Sequence, residues 1–310
     1  MDAARGTSPE AGAVLRPPKP GRMLWITAVL GGCFVAIQWG LRDAPVLWFA
    51  ALRAIVAGVV LLALGAVQRR PLPAGARAWG RIAILGLVNV TLAFAAMFAG
   101  AAAGATGTAA VLANAQPLLI LLPAWWLYGE SLCARTTTAL LVGFAGLLLV
   151  ALPGGGGKGA ALSLLAAAAV TAGTLLARRL GPIDVVVATG WHLLIGGIVL
   201  AGAAGAIEGA PAIAWTPRFI GSLSFLAVVG TAATTVAWFT EARRSRMDDL
   251  TAWTFLTPVF GILLSLVLLG ERPRSWTLAG LLVVLVSLRL ATRPTRRDAT
   301  VADQTDDRAR

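Results

Sequence analysis

Charge is what this chain has least of. Asp, Glu, Lys and Arg make up 13% of its 310 residues, about half the usual share. A soluble fold of this length needs a charged shell, and there is too little charge here to build one. Histidine occurs once, as His192, which excludes His-rich metal chemistry. HExxH, P-loop and CxxC patterns are all missing, so the chemistries they support have no motif to rest on. The two cysteines, Cys33 and Cys133, stand far apart, in or beside apolar runs. They give neither a disulfide framework nor a metal spacing. No metal and no cofactor are expected.

Apolar residues are what the chain has in excess, at 58% against about 45–50% in soluble domains. The net charge of +12 would suit nucleic acid or anionic lipid, and position decides between them. Basic residues come in short clusters between long apolar runs, as in Gln68-Arg69-Arg70 and Arg243-Arg244-Ser245-Arg246. Membrane loops have this pattern, because Lys and Arg set orientation. No basic stripe on a soluble fold is present, so a nucleic-acid partner is not expected. The expected partners are the lipid bilayer and a small-molecule substrate.

A spanning helix needs about 20 mostly apolar residues. Ten runs qualify: 23–40, 45–66, 82–99, 106–128, 136–152, 160–177, 184–204, 219–240, 250–270 and 275–292. Backbone amides in lipid must be satisfied within the segment, so the runs are expected as helices. They are apolar all round and lack the alternation of membrane strands. The fold class is therefore all-α integral membrane. Residues 1–22 and 295–310 read as disordered tails, and the first run as a retained span rather than a cleaved signal. The glycine-rich stretch 153–159 reads as a flexible linker between the segments 23–152 and 160–294. With the N-terminus inside, 20 of the 26 basic residues fall on the inner side and 5 on the outer. Both termini are thus expected in the cytoplasm of a cell-membrane protein.

The two halves echo each other. Gln116-Pro117 precedes Gly129-Glu130, and Thr257-Pro258 precedes Gly270-Glu271, with 13 residues from Pro to Glu each time. The offset between copies is 141, and a weaker offset of 139 aligns Arg53 with His192 and Gly58 with Gly197. Five spans is an odd number, so the second repeat enters the membrane from the opposite side. Inverted repeats of this kind recur in secondary transporters.

These motifs resemble the EamA-type branch of the drug/metabolite transporter superfamily. One copy is Ala113-Asn114-Ala115-Gln116-Pro117 with Leu127-Tyr128-Gly129-Glu130; the second is Leu256-Thr257-Pro258 with Leu268-Leu269-Gly270-Glu271. Arg53 resembles an arginine common in the family's second helix. Ala139 stands where the family often has glycine. The likeness covers about residues 23–293. It implies two inverted five-helix repeats around a central cavity, and export or uptake of small metabolites.

Arg53 lies about 13 Å into the second span, near the middle of a hydrocarbon core about 30 Å thick. A charge there costs at least about 2.5–3.5 kcal/mol, so it should face the bundle interior. No Asp or Glu lies deep in any run, which argues against proton coupling through a membrane carboxylate. Two roles stand for Arg53: tying helices through carbonyls, or holding an anionic substrate group such as a carboxylate. His192 is either a proton-sensitive group or a neutral ring bonded to a carbonyl. The amides Gln38, Asn89, Asn114 and Gln116 either line a polar cavity or bind helices together. The same choice applies to Thr231, Thr234 and Thr235, with Trp238, Trp253 and Thr254 nearby. Trp25, Trp125, Trp126 and Trp276 suit interfacial anchoring. Pro117 and Pro258 each remove a helix bond and suit gating kinks, though prolines are common in spans. Glu130 and Glu271 suit capping at helix ends more than ion coupling.

The leading function is a secondary transporter, expected to export small metabolites by alternating access. A flippase for lipid-linked substrates is the alternative within transport. An intramembrane enzyme needs a paired acid and base, a nucleophile with its base, or metal ligands. One histidine and rim carboxylates do not supply them. A receptor or scaffold is the remaining class.

Overall fold

The computed structural model describes residues 17–102, 116–128, 134–151, 158–269 and 275–291. All regular elements among the described residues are helical. The helices are α1 (Pro20–Gly40), α2 (Val46–Val67), α3 (76–102), α4 (Gln116–Leu119 continued by Leu121–Tyr128) and α5 (Ala134–Ala151). They continue as α6 (Lys158–Arg178), α7 (Val185–Ile207), α8 (217–242), α9 (247–269) and α10 (Ser275–Ala291). Seven stretches are long and apolar enough to cross a membrane: Pro20–Gly40, Val46–Val67, Ala76–Gly100, Ala161–Arg178, Val185–Ile207, Pro217–Ala242 and Asp249–Leu268. In α5 and α10 the apolar stretch is shorter, Thr137–Gly146 and Leu278–Ser287. The expected fourth span, 106–128, is described only from residue 116.

Several ends differ from the sequence expectation. α1 begins at Pro20, inside the segment read as a tail, because a proline at the first helical position needs no amide partner. α3 begins at Ala76, since the polar turn carrying Arg77 and Arg81 extends the helix beyond its apolar run. α6 starts at Lys158, so Lys158 and Gly159 are helix rather than linker. The linker residues 153–157, Cys133, Glu130, Glu271 and the far tails lie outside the described residues.

Two helix starts, those of α7 and α8, are capped by the side chain of the residue that precedes them. Asp184 Oδ1 accepts from the amides of Val186 and Val187 at 2.9 and 3.1 Å. Thr216 Oγ1 accepts from Phe219 N at 3.1 Å, with Pro217 in the first turn. Each cap satisfies amides that have no partner inside the helix.

Small residues set the helix pairs. α2 and α7 run antiparallel, with glycines where the backbones meet. A Cβ on Gly58 would lie 2.7 Å from Leu194 N, and one on Gly197 would lie 3.0 Å from Ile55 N. α5 and α10 meet the same way, since a Cβ on Gly146 would stand 2.9 Å from Gly280 O. Close approach through small residues is how helices gain packing energy in lipid, where the hydrophobic effect between them is absent. The outer faces remain apolar, as at Val267, which is 76% exposed.

Polar side chains gather at two opposite ends of the bundle. One end holds Arg218 with Asp43, at 2.7 Å, and Glu208 at the start of α2. The other holds Arg22 and Arg244 on the fully buried Glu241, and Arg70 on Asp184 at 2.8 Å. Arg135 joins that second end, donating to Leu290 O at 2.7 Å.

Among the described residues, two helices widen along part of their length. α3 widens to a π-helix over Leu87–Leu92, and α8 over Phe225–Ala233. The sequence carried no periodic signal for either. π-turns inside α-helices are rare and concentrate at functional sites.

Candidate functional site

Arg53 sits in α2 against the π-helical part of α8. Its side chain is buried, as the cost of a charge facing lipid requires. Nε donates to Thr231 Oγ1 at 2.6 Å, and Nη2 donates to Gly230 O at 3.3 Å. The guanidinium carbon lies 5.1 Å from the centre of the Phe94 ring on α3, which faces the cation with its electron-rich surface. Nη1 has no partner. Among the described residues, no carboxylate pairs with this charge.

The Gly230 carbonyl is the hub. Besides Arg53 it accepts from Thr234 Oγ1 at 2.8 Å, and Cys33 Sγ of α1 lies 3.9 Å away. The wider turn of a π-helix draws carbonyls out of the i→i−4 ladder and leaves them open to side chains. Glycine is needed here, because a Cβ on Gly230 would stand 2.5 Å from Cys33 Sγ. Phe94, Gly230 and Cys33 were not picked out by sequence reasoning. Apolar and small residues in an apolar run carry no local mark of a site.

The second cluster lies nearer the end that holds Glu241. Gln116 Nε2 donates to Thr174 Oγ1 at 3.0 Å, and Trp238 Nε1 donates to the same oxygen at 3.3 Å. Thr174 in α6 thus joins α4 and α8, a meeting no sequence spacing announces. Trp253 packs into the adjoining apolar cluster with Trp238, Met23 and Leu250. Thr254 Oγ1 donates to Thr251 O at 2.6 Å, a bond within its own helix. Thr235 is half-buried in α8.

The other expected positions are dispersed. His192 is fully buried in α7, 3.2 Å from Ala188 O through Nδ1 and beside the Phe239 ring, while Nε2 has no partner. It shares no polar partner with Arg53. Asn89 stands in the π-helical part of α3, pressed against Gly173. Gln38 is exposed on α1, one turn from the exposed Phe34. Asn114 lies outside the described residues. Pro117 falls in the short helix Gln116–Leu119. Pro258 follows the 3₁₀ turn Trp253–Phe255 in α9. It has no amide to offer the carbonyl of Thr254, four residues back, so the regular ladder is interrupted there. No cluster of three or more metal-ligating side chains occurs among the described residues.

A model of the EamA-like transporter family matches the chain twice, over residues 20–152 and 157–293. The chain belongs to the EamA-like transporter family. Its relatives include a chloroplastic WAT1-related protein of Arabidopsis thaliana, 32% identical over 289 residues, covering 86% of this chain and 68% of the relative. An uncharacterized transporter of Synechocystis is 29% identical over 294 residues, with 86% of each chain covered. The protein PecM of Dickeya dadantii is 27% identical over 261 residues, covering 82% of this chain and 85% of the relative. A solved crystal structure shares the fold with a TM-score of 0.75 at 19% identity, over 90% of this chain and 99% of its own. This EamA-like protein is accordingly a multi-pass membrane transporter of a small molecule and not an enzyme.

Proposed function

We propose that this EamA-like protein is a secondary carrier of the plasma membrane that exports small anionic metabolites by alternating access. Its ten helices form two inverted five-helix repeats, residues 23–152 and 160–294, with both termini in the cytoplasm. Paired contacts support the repeat. The Gly58–Leu194 approach becomes the Gly197–Ile55 approach under an offset of 139. The Gly143–Ser287 approach becomes Val284–Gly146 under an offset of 141. Asn89 against Gly173 matches Gly230 against Cys33, at offsets of 141 and 140. Each pair is one contact seen from both halves.

The observation that carries the cargo reading is the unpartnered Nη1 of Arg53. A carboxylate binds guanidinium best through two parallel hydrogen bonds. Nη1 offers the first without cost. Nη2 offers the second by releasing Gly230 O, the longer of the two hydrogen bonds Arg53 makes, at 3.3 Å against 2.6 Å for Nε. Substrate then loosens the tie between α2 and α8, which belong to different halves, and binding is coupled to their relative movement.

Export profiling of an overexpressing strain supplies candidate carboxylates, and proteoliposome transport tests them. Arg53→Lys keeps the charge and loses the fork, so transport per folded molecule should fall, and fall further in Arg53→Ala. Unchanged transport per folded molecule in Arg53→Ala removes the residue from the site.

A further inference from the structure

At the end of the bundle that holds Asp43, α1, α8 and α9 part around an apolar cleft of about 510 Å³. That volume is in the range of small-molecule sites. α1 lines it with Gly32, Ala36 and Trp39, and α9 with Leu264 and Leu268. Leu268 is 51% exposed, so the cleft opens sideways onto the surface that meets acyl chains.

The polar groups of the cleft are ordered along α8. Arg218, Ser222 and Phe225 line it in that order along the helix, with about 6 Å of rise between the first two. Ser222 is 4% exposed and its Oγ has no partner. A buried hydroxyl without a partner is unfavourable, so an occupant of this cleft should bring an acceptor. Asp43 takes Nε and Nη2 of Arg218 at 2.9 and 2.7 Å, which leaves Nη1 for an anion. Arg42 also acts on the Asp43 carboxylate. Arg218 is the cation that lines the cleft, and Asp43 occupies two of its three nitrogens.

We infer that this cleft is a binding site for one glycerophospholipid, with its phosphate at Arg218, an ester carbonyl accepting from Ser222 and an acyl chain between α1 and α9. Cation, hydroxyl and apolar wall follow one another in the order of phosphate, ester and hydrocarbon in a bilayer leaflet. Trp39, in the last turn of α1, suits the interfacial layer where ester groups lie. The site is independent of the cargo held at Arg53.

Native mass spectrometry of the purified full chain tests this. After delipidation, phosphatidylglycerol should return at about one molecule per chain. Gly221→Leu fills the cleft, and a Cβ there meets nothing within 4 Å, so the variant should melt like the wild type and bind at least ~10-fold less lipid, as expected when apolar contacts are displaced. Ser222→Ala should weaken the ester lipid about fivefold, the loss of one hydrogen bond, and leave a diether analogue unchanged. Inorganic phosphate should not displace the lipid. Equal lipid retention by wild type and both variants overturns the site. Displacement by inorganic phosphate reduces it to an anion site at Arg218 and overturns the lipid assignment. Should Gly221→Leu fail to fold, the ester-against-diether comparison in Ser222→Ala decides alone.

Discussion

Glu208 at the end of α7 caps the start of α2 at Leu47: its carboxylate oxygens accept from Leu47 N at 2.9 and 3.1 Å. Trp48 N donates to it as well, at 3.1 Å. An offset of 139 carries these two amides onto Val186 and Val187, which are capped by Asp184 of their own helix. Equivalent helix starts are thus closed by different means. Only the Glu208 cap ties two helices together directly; at the other end Arg70 of the α2 side reaches Asp184 instead, at 2.8 Å.

Glu208→Ala should therefore destabilise the α2–α7 pair. Loss of a charge-assisted cap on two amides costs roughly 1–3 kcal/mol. Thermal unfolding in detergent reads this directly. A variant that melts with the wild type shows that water serves the α2 amides equally well.

The glycine seam gives a paired test. Gly58→Ala puts a methyl against the α7 backbone, 2.7 Å from Leu194 N, and overpacking of this kind costs about 1–3 kcal/mol. Gly202→Ala on the same helix pair meets nothing within 4 Å and should gain about 0.5–1 kcal/mol from reduced chain entropy. Opposite signs in the two melting temperatures are expected; equal shifts count against a tight seam.

Acid should release the Asp43 latch. The hydrogen bond from the Arg218 guanidinium holds the Asp43 carboxyl below its ordinary value of 3.8. A lowered carboxylate contributes stability that is complete above the unfolded value and disappears as pH falls through the lower folded value. Asp43→Asn should thus melt below the wild type at about pH 6, and the gap should narrow as the pH falls below the ordinary value of 3.8. A gap that persists in strong acid assigns the difference to something other than this charge.

Topology is open to reporter fusions. Reporters in the 152–157 segment and after residue 291 should report opposite sides of the membrane, with the C-terminal one cytoplasmic. Reporters on the same side end the five-plus-five arrangement.

Much of the helix pattern was legible in the chain because lipid leaves the backbone no alternative to helix. The start of α7 at Asp184 and of α8 at Thr216 follow from side chains that cap their own amides. The burial of Arg53 was legible too, since its depth makes lipid exposure costly. Gln38 shows where such reasoning stops. Its place in the first span says nothing about which face of α1 is turned to α8 and α9, and it emerged on the exposed one. The start of α3 was misplaced because Arg77 and Arg81 are too polar for a span, yet a helix continues past the apolar core without penalty once its ends reach water.

The sequence by itself determined a membrane protein of apolar helices, with the basic residues kept to the ends of the apolar runs except for Arg53. These follow from solvent alone: hydrocarbon excludes charge and unpaired amides wherever they occur in the chain. Only the tertiary structure decided what Arg53 touches. Its partners come from α3 and α8, about 40 and 180 positions away, and the key acceptor is a backbone carbonyl, Gly230 O, that every residue type carries. That carbonyl is available because α8 widens over Phe225–Ala233. That stretch packs against α1 and α2, neighbours that stand far away in the chain and that no local run of residues announces.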